Sequence, residues 1–82
     1  MKRRTLVVEV YSAEALTNSA SGNPRWTLHT SKGAFTTLTD TTCAWGVQNL
    51  MRLPTLSRKR ITIVVDRRDR VVDILTQEGT RP

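Results

Sequence analysis

With 82 residues the chain has room for one domain, residues 1–82, and a chain of this size buries only about 60 to 65% of its unfolded surface. One cysteine, Cys43, and one histidine, His29, exclude an internal disulfide and a Cys/His metal centre, and a lone thiol points to a reducing cytoplasm. Lys and Arg number 13 against 7 Asp and Glu, a net charge of +6, which draws nucleic acid, anionic surfaces or acidic proteins.

The amino terminus, MKRRTLVVEVYSAEA, has a basic start and an apolar patch, but Glu9 interrupts the patch well short of a secretory leader. Residues 5–11 alternate Leu6, Val8 and Val10 against Val7, Glu9 and Tyr11, which predicts a strand. No segment is long and apolar enough to cross a bilayer as a helix, and no membrane partner is expected. Residues 16–24, LTNSASGNP, collect turn-forming side chains and read as a loop.

From Arg25 the pattern RWTLHT, Ser31-Lys32-Gly33, AFTTLT predicts a hairpin with Gly33 at the left-handed position. Trp26, Leu28 and Thr30 share one face; Arg25, Thr27 and His29 share the other. Asp40 or Thr41 is a candidate cap and Pro54 a stop, which brackets a helix over about residues 41–51 with an apolar stripe of Cys43, Val47, Leu50 and Met51. Gly46 weakens that helix by about 1 kcal/mol relative to Ala. Residues 60–65 and 70–75 are two strands around DRRD, with a type I turn over Arg67 and Arg68, Asp69 left-handed, and Asp66 paired with Arg70. A frayed tail is expected from about residue 78.

Five short strands in so small a chain cannot make two packed sheets, so they are expected to curl into a small barrel, mainly β. A helix between the third and fourth strands fits an OB-like barrel, with an SH3-like barrel as the rival. The run SGNPRWTLHTSKGAFTTLTD followed by ITIVVDRRDRVVDI resembles small accessory proteins encoded by phages of actinobacteria, over Gly22 to Ile74. In that pattern a Gly-Asn-Pro-Arg-aromatic strand precedes a D-x-R-G-R-V hairpin, and Asp69 stands here where the pattern has Gly. The resemblance implies a phage protein acting in the bacterial host's cytoplasm and supplies no catalytic residues.

The residues themselves argue against an enzyme. His29 sits on a predicted strand with no orienting carboxylate in view, Cys43 lies on an apolar stripe, and the carboxylates are scattered into cap, turn and ion-pair positions. No cofactor is expected.

Binding is left, in three forms. On a helical wheel Trp45 stands with Asn49 and Arg52 opposite the apolar stripe, and an exposed Trp beside Arg is a typical centre for recognising a protein, so a host protein is the favoured partner. Single-stranded nucleic acid is the alternative, held by Arg25, His29 and Lys32 with Lys2, Arg3 and Arg4, although the outer face of the hairpin offers no large ring for stacking. Self-assembly through a strand edge is the third. The basic knots at residues 58–60 and 67–68 lie at opposite ends of their hairpin, roughly 17 Å apart, and do not form one patch.

Overall fold

The computed structural model describes residues 3–51 and 59–76. Five strands, β1 (Arg4–Ala15), β2 (Trp26–Thr30), β3 (Gly33–Thr37), β4 (Lys59–Val65) and β5 (Arg70–Leu75), form a closed barrel in the order β1-β2-β3-β5-β4, with one helix, α1 (Cys43–Met51), between β3 and β4. This is the OB-like arrangement.

β1 makes closure possible because it is shared. Residues Arg4 to Val10 pair with β4, Val65 to Lys59, and Val10 to Ala15 pair with β2, Thr30 to Trp26. A bulge between Val10 and Ser12 marks the change of partner, as bulges bend a strand and increase its twist. The strand therefore runs past residue 11, where the alternation in the sequence fades. SAEA has little strand propensity, and pairing with β2 holds it extended. A parallel contact, Thr36 beside Arg70 and Thr37 beside Val71, closes the barrel between β3 and β5.

The period-2 pattern fills the interior. Val8 and Val10 of β1, Leu28 of β2, and Ile61, Ile63 and Val65 of β4 point inward and are buried, joined by Val71 and Ile74 of β5. Trp26 packs against this core, so the inward face expected of Trp26, Leu28 and Thr30 is the one observed. α1 packs against β5 and buries Val47 and Ala44. No helix among the described residues is long and apolar enough to cross a membrane.

The two turns behave as their residues require. β2 and β3 meet through Ser31 and Lys32, with Gly33 at φ 115°, where a Cβ is strained. In the β4–β5 turn Asp69 takes φ 61°, its amide donates to the Asp66 carbonyl, and the Asp66 amide donates to the Arg70 carbonyl.

One expectation fails at the start of the helix. The carboxylate of Asp40 accepts hydrogen bonds from the Ser19 hydroxyl (2.5 Å) and the Asn23 side-chain amide (2.9 Å), not from the helix. The Thr41 hydroxyl turns to the Val72 carbonyl and the Cys43 sulfur. Asp40 sits at φ 62° in the turn after β3, and this swings its side chain onto the β1–β2 loop instead of back along α1. The first helical amides are met by backbone carbonyls, Ala44 to Thr41 and Trp45 to Thr42.

Candidate nucleic-acid interface

The chain ends of the sheet decide where charge gathers. β3 and β5 run parallel, so their first residues lie at the same end of the barrel, and β1 begins at that end because Arg4 pairs with Val65. The β2–β3 turn, the β4–β5 turn and the beginning of β1 are thereby brought together from three distant parts of the chain. They carry Lys32, Arg67 with Arg68, and Arg3 with Arg4, all exposed. Sequence separation hid this cluster, because the parallel β3–β5 contact that creates it has no local signature.

The carboxylates at this end are already engaged. Asp66 is 3% exposed and accepts from the amides of Arg68 (2.9 Å) and Arg70 (3.0 Å) and from the Arg70 guanidinium (2.9 Å), the ion pair that the turn chemistry predicts. The Arg70 amide above all holds the Asp66 carboxyl below the ordinary aspartate range; burial pushes the other way, and the Arg70 guanidinium and the Arg68 amide reinforce the lowering. Asp69 forms an ion pair with Arg4 across the start of β1. Arg3, Lys32, Arg67 and Arg68 have no side-chain partner among the described residues, so this end carries net positive charge facing solvent. The loop that presents it is braced from inside by Asp66.

Lys32 is aimed outward by its neighbours. The Ser31 hydroxyl accepts from the Glu9 amide (3.0 Å), the Ser31 amide donates to the Glu9 carbonyl (2.9 Å), and the Thr30 hydroxyl accepts from the Lys32 amide (3.1 Å). Together these bonds fix the turn against β1.

Next to this end lies the outer face of β1, β2 and β3. The bulge in β1 places two consecutive residues, Tyr11 and Ser12, outside, between inward Val10 and core-packed Ala13. Tyr11 stands opposite the His29–Thr30 step and is 51% exposed. The outer face of the β2–β3 hairpin itself carries Thr27, His29, Ala34 and Thr36 and no large ring; the ring comes from β1, whose alternation already sets Tyr11 on the side away from Val8 and Val10. His29 shares the face, with Nε2 3.3 Å from Glu14 Oε1.

Other expected residues fall elsewhere. Arg25 is half-buried at the opposite end, its guanidinium donating to the Thr17 carbonyl (3.4 Å). It braces the β1–β2 loop and does not join the exposed cations. Phe35 is 9% exposed and belongs to the core, because it pairs with Leu28 in the inward register of the hairpin. Lys2 and Arg52 lie outside the described residues, as do the side chains of Asn49, Leu50 and Met51. Trp45 is 50% exposed on α1, on the side away from Ala44 and Val47, as the helical wheel requires.

Among the described residues no group of His, Cys, Asp or Glu is arranged to hold a metal ion. The Cys43 thiol is half-buried beside the Val71 carbonyl (3.8 Å), and burial pushes its pKa up, so the nucleophilic thiolate is disfavoured. The site brings together cations that have no side-chain partner among the described residues, a ring and an imidazole. Comparison of the chain with protein-family models, with characterised proteins and with solved structures finds no match.

Proposed function

We propose that the protein binds single-stranded nucleic acid, its phosphates tracking past Arg3, Lys32, Arg67 and Arg68 and its bases lying on the outer face around Tyr11 and His29. The observation that carries this reading is the meeting at one barrel end of cations from three separate segments, beside an exposed ring. A strand needs both features, because phosphate contacts give salt-dependent affinity and each stacked base adds about 1 to 3 kcal/mol. In barrels of this topology the β2–β3 face and the β4–β5 loop are recurrent oligonucleotide surfaces, which supports the reading by analogy. With the resemblance to phage accessory proteins, the strand is that of the bacterial host or of the phage replicating in it.

Titration of labelled oligonucleotides at two salt concentrations tests this. Binding is expected to weaken steeply with salt, with a slope of about −0.7 for each phosphate neutralised on a single strand. No binding at low salt would dispose of it.

A second reading rests on Trp45. Half of its surface is open although its helical neighbours Ala44 and Val47 are fully buried, and an exposed indole is a frequent anchor for a protein partner. Affinity capture from a host lysate with wild type and Trp45→Ala tests it, and equal recovery of the same partners would remove Trp45 from any interface. Assembly through a strand edge has less support, since each of the five strands already has two strand neighbours.

A further inference from the structure

At the basic end of the barrel a groove of about 460 Å³ opens between Arg4, Leu6, Lys32, Ala34, Phe35 and Asp69, within the roughly 300 to 1,000 Å³ range of small-ligand sites. Its chemistry is mixed in a way that narrows the occupant. Leu6, Ala34 and Phe35 supply an apolar lining, which suits a flat organic body and not a bare phosphate. Arg4 and Lys32 attract acceptor atoms, while Asp69 repels phosphate and attracts N–H donors. The Arg4–Asp69 pair leaves capacity on both sides: Nη2 of Arg4 meets Oδ1 of Asp69. Oδ2 of Asp69, and Nη1 and Nε of Arg4, have no partner among the described residues.

We propose that this groove receives one unpaired guanine of the bound strand, an inference that rests on the nucleic-acid reading above. Guanine has adjacent N1–H and N2–H donors that match a carboxylate, together with O6 and N7 acceptors that match an arginine or lysine. Adenine and cytosine offer a single amino group beside an acceptor, and thymine and uracil a single N–H between two carbonyls, so neither pattern fills a carboxylate with two donors. In a single strand these edges are open to be read. The base lies against Phe35 and Leu6, Asp69 takes the two donors, and Arg4 or Lys32 takes O6.

The test uses thymidine oligonucleotides of about ten nucleotides, within the usual footprint of such a barrel, whose central position is dG, dA, dC or dT. The dG strand is expected to bind at least about fivefold more tightly than the others, the lower end of discrimination for a two-point base contact. Asp69→Asn keeps a residue that tolerates the left-handed turn and removes the paired acceptor; it is expected to bring the strands within about twofold of each other without weakening the all-thymidine strand. Ala34→Leu, which fills the groove and leaves every charge in place, is expected to do the same. Equal binding of the wild type to all strands, or a guanine preference that survives both substitutions, would overturn the inference while leaving the functional reading intact. If no oligonucleotide binds at low salt, the functional reading fails and the groove is judged by mononucleotides. Shifts in the Lys32, Ala34 and Asp69 amide resonances with guanosine monophosphate but not cytidine monophosphate uphold it, and no shifts overturn it.

Discussion

Trp26 donates its indole N–H to the carbonyl of Ala44 at 3.0 Å and so ties the second strand directly to the first turn of the only helix among the described residues. The bond spans eighteen residues and joins two elements that have no pairing in the sheet. It fixes where the helix sits on the barrel, and with it the outward aim of Trp45. Trp26→Phe removes the donor and keeps most of the packing. It is expected to lower stability by about 1 kcal/mol, read as a lower urea midpoint at an unchanged denaturant slope. An unchanged midpoint would mean that the bond contributes nothing net.

The carboxylates make the fold acid-sensitive in a defined direction. Asp66, through the Arg70 amide first, and Asp40, through the Ser19 hydroxyl and then the Asn23 amide, both titrate below the ordinary aspartate value in the folded chain. Each therefore contributes stability that is fully present above the unfolded-state pKa and is lost as pH falls through the lower folded-state pKa. The melting temperature is expected to be level near neutrality and to fall on the acid side of about pH 4, with a smaller fall in Asp66→Asn. An equal acid fall in wild type and Asp66→Asn would show that Asp66 does not drive it.

Arg67 and Arg68 separate affinity from stability. Both are exposed at the tip of the β4–β5 turn and have no side-chain partner among the described residues. Arg67→Ala with Arg68→Ala is expected to change stability by no more than about 0.5 kcal/mol per site. It is also expected to reduce the salt slope of oligonucleotide binding by about 0.7 for each phosphate contact removed. A wild-type slope in the double variant would place the phosphates elsewhere.

Much of the fold was legible because its signals are local. Leu6, Val8 and Val10 alternate as a strand must, Gly33 and Asp69 mark left-handed turn positions, and Asp66 and Arg70 meet across a short turn. What escaped depends on contacts between distant residues. The bulge that sets Ser12 beside Tyr11 on the outside comes from β1 changing partners, and Asp40 meets Ser19 and Asn23 of the distant β1–β2 loop instead of the helix. The candidate site was legible in its ingredients and not in their grouping. Lys32, Arg3 and Arg4 were visible as cations, but only the pairing of Arg4 with Val65 and the parallel contact of Thr36 with Arg70 set them beside Arg67 and Arg68. Arg25, equally basic in sequence, folds back onto Thr17 at the far end.

The most direct measurement is amide chemical-shift mapping of the protein with a short single-stranded oligonucleotide at low salt. Shifts concentrated at Tyr11, His29, Lys32, Arg67 and Arg68, with Trp45 and its helix unmoved, are the predicted result. Shifts centred on Trp45, or none at a strand concentration tenfold above the about 1 to 100 μM range of non-specific binding, would contradict the account.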